Sequence, residues 1–143
     1  MTSLRIDRIL PAPPEHVFRA LTDPDALAAW FWPPDFGTEV VADARPGGRF
    51  RIAAAGGPAG PLAVEGSYTV VEPPHRLAFT WRWVGDDEET LVTIELAAAG
   101  EGTALTLVHD GFAADADRDN HTTGWSDCLG RLPAWLAATT PAA

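Results

Sequence analysis

Two spacings of apolar residues divide this chain. "TSLRIDRIL" reads as a first strand, and "PAPPEHVFRALTDPDALAAWF" then steps at helical spacing through Val17, Phe18 and Leu21, and again through Leu27, Trp30 and Phe31. Pro13 and Pro14 suit a first helical turn, "TDP" stops one segment and caps the next, and Pro33 and Pro34 end the second. Two short helices are therefore expected. From residue 38 the spacing becomes alternate. "TEVVADA" and "GGRFRIAAA" form an expected hairpin turning at "RPGG", with "GGPAGP" as the following loop. "LAVEGSYTVVE" is the next strand, and its Gly66 signals a bulge or a close backbone approach. After a turn at "PPH" the alternation is clearest in "RLAFTWRWV". There Leu77, Phe79, Trp81 and Trp83 point one way, while Arg76, Ala78, Thr80 and Arg82 point the other. Beyond the turn at "GDDEE", "TLVTIEL" groups Val92, Ile94 and Leu96, and "TALTLVHD" groups Leu105, Leu107 and His109.

"HTTGWSDCLGRLPAWL" returns to helical spacing. His121, Trp125, Cys128, Leu132 and Trp135 step by 4, 3, 4 and 3, and Leu129 and Leu136 widen the stripe. Asp115 or Asp117 suits the N-cap. Gly124 and Gly130 each cost roughly 1 kcal/mol relative to Ala inside a helix, which predicts close approach to the sheet or to a bulky neighbour. Pro133 lacks the N–H that would bond residue 129, which predicts a kink or a restart. Six or seven strands joined by short turns must pair antiparallel, because parallel pairing needs long crossovers. One sheet face is rich in bulky aromatics and the other in Thr, Arg and Glu, so one side is covered. The final helix is the element long enough to cover it. The expected class is α+β, a single domain over residues 1–143.

Composition narrows the function. The net charge is −10, and all ten basic residues are Arg. Without lysine, Schiff-base chemistry and Lys-dependent phosphate loops are excluded. An acidic chain with no basic run argues against nucleic acid and anionic membrane surfaces. Arg45, Arg49 and Arg51 cluster weakly among acidic neighbours and read as a solvated strand face. No apolar run approaches the ~20 residues of a membrane span, and the N-terminus lacks a signal-peptide apolar block. A cytoplasmic location is expected, and the single Cys fits a reducing compartment.

The blocks "PPEHVFRALTDPDALAAWFWP", "DARPGGRFR", "EGSYTVVEPPHRLAFTW", "ETLVTIEL", "GTALTLVHDGF" and "HTTGWSDCLGRLPAWL" run in order over about residues 3 to 137. In that order they resemble the bacterial proteins related to the activator of the heat-shock-protein-90 ATPase, within the START/Bet v 1-like (SRPBCC) superfamily. The resemblance implies a helix-grip fold, a curved antiparallel sheet around a long C-terminal helix, which strand parity and the helix stripe reach independently. Pro133 departs from the ordinary helix former usual there, and the loop at "AAGGPAGPL" looks abbreviated. Eukaryotic co-chaperones of this kind carry an N-terminal stimulating module rich in Asn and Trp. Nothing like it stands in this sequence, so the chaperone-activating role does not transfer.

Such a grip implies a cavity between sheet and helix. By parity its walls are Phe50, Ile52, Tyr68, Phe79, Trp81, Trp83, Val92, Ile94, Leu107 and His109, with His121, Trp125, Cys128, Leu129 and Leu132 from the helix. Trp30, Phe31, Phe36 and Phe112 are expected at the rim. No metal or other cofactor is expected. His121 and Cys128 stand about 10 Å apart along the helix, and no third ligand accompanies His109 and His121. Cys128 lies between apolar neighbours and reads as packing, not as a nucleophile. Three functions stay open. The first is a non-catalytic binder of a small apolar or aromatic molecule. The second is a cyclase-, aromatase- or lyase-like enzyme using His109, His121 or Glu65 as acid or base, which the superfamily's polyketide cyclases suggest. The third is a module that docks on a chaperone or regulator.

Overall fold

Residues 2–57 and 60–139 are described by a computed structural model. Strand β1 (Thr2–Leu10) leads to helices α1 (Pro14–Thr22) and α2 (Pro24–Trp30) and a 3-10 turn at Pro34–Phe36. Strands β2 (Thr38–Ala42), β3 (Arg49–Gly57), β4 (Gly60–Glu72), β5 (Arg76–Trp83), β6 (Thr90–Ala99) and β7 (Gly102–Phe112) follow, and α3 (Asp115–Thr139) closes the chain. The strands form one antiparallel seven-stranded sheet in the order β1-β7-β6-β5-β4-β3-β2. This is the helix-grip layout.

Local chemistry sets the two short helices. Pro14 opens α1 with a φ already helical, and Asp23 ends it. The Asp23 carboxylate then accepts the Ala26 N–H at 3.0 Å and so caps α2. In the sheet, Gly66 answers to a close approach, because a Cβ there would stand 1.9 Å from the Thr80 carbonyl oxygen. Beside it the β4–β5 register shifts between Tyr68 and Val70, an irregularity of the kind that bends and twists a strand.

The helix stripe packs as its spacing predicts. Trp125, Cys128, Leu129, Leu132 and Leu136 are buried against the concave face, which presents Leu77, Phe79, Trp81, Val92, Ile94, Leu105 and Leu107. Trp135, at the edge of the stripe, stacks on His16 of α1 with ring centroids 5.5 Å apart.

Several expectations need correction. Helix α3 runs through Pro133 without a break. Buried Leu129, Leu132 and Leu136 hold the turns on both sides, which offsets the missing bond. Gly124 and Gly130 are not forced by crowding, since a Cβ at either meets nothing within 4 Å. The helix begins at Asp115, so Asp115 and Asp117 lie in its first turn, where carboxylates suit the dipole. The "GGPAGP" segment is largely strand, with β3 reaching Gly57 and β4 starting at Gly60. Its Pro58 and Ala59 lie outside the described residues.

Candidate functional site

A cleft of about 390 Å³ opens where α3, β5 and the chain after α2 meet. Helix α3 supplies Asn120, His121, Gly124, Trp125, Asp127 and Cys128. The segment that Pro33 and Pro34 break out of helix supplies Phe31, Trp32, Pro33 and Phe36, and β5 supplies Trp81 and Trp83. Trp32 and Trp83 lie nearly parallel, at 13° with centroids 6.3 Å apart. Phe31 meets Trp125 edge-on at 5.8 Å. Asn120, Gly124 and Asp127 are exposed, so the cleft opens to solvent along that side of α3.

Deeper in the grip there is little space. A void of about 30 Å³ lies among Phe50, Ile52, Tyr68, Phe79, Ile94 and their neighbours, the volume of about one water molecule. Phe50 closes on Phe79 at 5.2 Å and on Tyr68 at 5.6 Å. Burial pushes the Tyr68 phenol up to about 12, so it stays neutral. Val92, Leu107, Leu129 and Leu132 are fully packed and border neither space. Of the residues placed at the rim by sequence, Phe31 and Phe36 do line the cleft. Trp30 is instead 2% exposed and donates its indole N–H to the Ala20 carbonyl, inside the core. Phe112 is buried behind the two histidines, 4.4 Å from His109 and 4.8 Å from His121 by ring centroids.

The histidines are brought together, with centroids 5.1 Å apart, but each is fully engaged. The indole N–H of Trp125 donates to Nδ1 of His109 at 3.0 Å, so the His109 proton sits on Nε2 and is shared with Thr90 Oγ1 at 2.6 Å. Thr90 in turn donates to the Trp81 carbonyl at 3.2 Å. Burial first, and then the neighbouring His121, pushes the His109 imidazole down to about 3. At His121 the arrangement repeats with the nitrogens exchanged. Trp83 donates to its Nε2 at 2.9 Å, and its Nδ1 donates to the Asp117 carbonyl at 2.7 Å. Neither ring keeps a free nitrogen to exchange a proton with a ligand. Glu65 lies away from the cleft, on the outer sheet face, between Arg82 at 3.0 Å and Arg51 at 3.6 Å. Cys128 does border the cleft, but burial pushes its thiol up to about 12, where it is no nucleophile. Among the described residues no three His, Cys, Asp or Glu side chains converge as metal ligands would.

Sequence reading missed Trp32, Pro33, Asn120, Gly124 and Asp127 as cleft residues. Gly124 carried a signal: it falls at the edge of the inner stripe three residues after His121, and a glycine there is a gap in the wall. Trp32 carried none, because it follows the helix end where no spacing applies. Arg131 was also missed. Its guanidinium donates to the Phe31 carbonyl at 2.7 Å and the Trp30 carbonyl at 3.2 Å, and pairs with Asp127 at 2.5 Å. It thereby caps the end of α2 from α3 and fixes the Phe31–Trp32 wall.

The family model described as Activator of Hsp90 ATPase homolog 1-like protein matches residues 11–137. Among solved structures, a protein from Chromobacterium violaceum is 34% identical, with 94% of this chain and 96% of that one covered and a TM-score of 0.81. A protein from Rhodobacter sphaeroides is 31% identical, with 96% and 93% covered and a TM-score of 0.83. A putative protein in the dynemicin biosynthetic locus is 28% identical over 94% of this chain but 47% of that one, with a TM-score of 0.80. No curated protein matches the sequence.

Proposed function

The chain belongs to the Activator of Hsp90 ATPase homolog 1-like family, and from that premise we propose that it binds a small apolar or aromatic molecule without transforming it. The observation that carries this reading is the cleft of about 390 Å³ walled by Phe31, Trp32, Phe36, Trp81, Trp83 and Trp125. Ligand pockets typically hold ~300–1,000 Å³ with apolar walls and few polar groups. The ligand site is thus the mouth of the grip, whereas the deep interior is packing. A similar structure belongs to a biosynthetic locus, which favours a small molecule over a protein as the occupant.

The acid–base alternative draws no support from the imidazoles, whose nitrogens are all committed to Trp83, Trp125, Thr90 and the Asp117 carbonyl. A docking surface is no better favoured. The exposed large apolar side chains among the described residues, Ile9, Val41, Val84 and Leu91, stand apart on separate elements or turns. No helix of the described residues is long and apolar enough to cross a membrane. The proposed location is the cytoplasm, where a reduced Cys128 is stable.

Titration with Nile red, an uncharged aromatic dye, tests the reading. One saturable site per chain with blue-shifted emission is expected. A linear, unsaturable response, or none, would sink it.

A further inference from the structure

Five tryptophans, Trp30, Trp32, Trp81, Trp83 and Trp125, surround or underlie the cleft, and the indole N–H groups of three have partners. Trp30 donates to Ala20, Trp83 to His121 and Trp125 to His109. Trp81 does not: its Nε1 is buried with no hydrogen-bond partner, although the residue is only 4% exposed. A buried, unpaired donor costs ~1–3 kcal/mol, and native interiors seldom leave one. Trp81 is also shared by both spaces, since it borders the cleft and the small void behind it.

The other polar groups at the cleft are committed or open to water. Both nitrogens of His121 are bonded. The Asp127 carboxylate is held by Arg131, and Asn120 stands exposed on α3, where solvent competes for its amide. No Arg borders the cleft and the chain has no Lys, so the charged group at its wall is an acid. An anion entering this apolar space would lose hydration and find no counter-charge.

We propose that the cleft selects a flat, uncharged fused-ring molecule bearing a hydrogen-bond acceptor, which takes up the unpaired indole N–H of Trp81. This rests on the reading of the cleft as a small-molecule site. Aromatic walls fix the ring system, and the buried spare donor of Trp81 fixes its orientation. Selectivity for a carbonyl or ether oxygen follows, because a hydrocarbon of the same shape leaves the N–H unpaired.

Fluorene, fluorenone and fluorenecarboxylate separate these requirements, having one ring skeleton and differing in acceptor and charge. Nitrogen-15 NMR titrations of the whole chain should show fluorenone binding at least about tenfold tighter than fluorene. Fluorenecarboxylate should bind more weakly than either. The Trp81 indole proton should move downfield with fluorenone only, and Trp81→Phe should erase the preference, bringing the fluorenone and fluorene affinities of the variant together whatever their common value. Equal affinities for fluorene and fluorenone overturn the proposal, as does a preference that survives Trp81→Phe. If that variant does not fold, an unmoved Trp81 resonance in the saturated wild type overturns it alone. Binding of neither neutral compound overturns the small-molecule reading itself, and the proposal with it.

Discussion

The indole N–H of Trp125 donates to Nδ1 of His109 at 3.0 Å, and this bond from helix to sheet decides where the imidazole proton resides. An indole N–H can only donate, so Nδ1 must be bare and Nε2 must carry the hydrogen toward Thr90. His109 is therefore a neutral spacer locked between α3 and β6. A charged imidazolium would lose the Trp125 bond in a site closed to solvent, where His109 is fully buried.

Acid should unfold the protein through this residue. The folded pKa of His109 is depressed from 6.5 to about 3, by burial and then by His121. Between those values the unfolded chain holds a proton that the folded chain does not. Stability is then complete above pH 6.5 and lost as pH falls, by about 1.4 kcal/mol per pH unit from this group. His109→Gln can still accept from Trp125 and donate to Thr90, at a cost of about 1 kcal/mol at neutral pH. Urea unfolding followed from neutral pH down to about pH 4 should show a shallower loss in the variant. Parallel losses would contradict the assignment.

Arg131 should matter more than its position on the outer side of α3 suggests. Arg131→Met keeps the aliphatic stem but abandons the Trp30 and Phe31 carbonyls, and should cost about 2 kcal/mol. Nile red affinity should fall as the Phe31–Trp32 wall loosens. Asp127→Asn removes only the exposed ion pair, about 0–1 kcal/mol, and should leave the dye site nearly intact. Denaturant midpoints and dye titrations of both variants check this. Equal effects from the two would show that the carbonyl caps are unimportant.

Cys128 should resist thiol reagents although it borders the cleft. Raising its pKa from 9.0 to about 12 lowers the thiolate fraction at mild alkaline pH by roughly a thousandfold. Labelling with a disulfide reagent should be slow in the native protein and rapid in urea. Native labelling at the rate of a free cysteine would mean that the thiol is neither buried nor neutral.

Parity and helical spacing sufficed for the architecture, because each states which way a side chain points. Leu77, Phe79 and Trp81 alternate inward from β5, and Trp125, Cys128, Leu129, Leu132 and Leu136 follow one face of α3. Pointing inward does not reveal whether the opposite wall meets the side chain. Val92, Leu107, Leu129 and Leu132 share the inner surface with Trp81 and Trp125, yet the first four only pack and the last two border open space. That division depends on where α2 ends, which Arg131 fixes from a hundred residues away in sequence. The missing side chain at Gly124 was the legible trace of the cleft, and crowding was the wrong explanation for it.

Gly124 also offers the most direct test that the cleft, and not the packed interior, is the binding site. A side chain there starts in open space, and a helix former in place of Gly adds up to about 1 kcal/mol of stability. Gly124→Leu should therefore fold with an unchanged or higher melting temperature while filling the cleft. Gly130→Leu makes the same exchange in the same helix at an exposed position that does not border the cleft. Nile red titration of the two variants should show at least about a tenfold loss of affinity for Gly124→Leu and wild-type affinity for Gly130→Leu. Wild-type affinity in a folded Gly124→Leu protein would contradict the account.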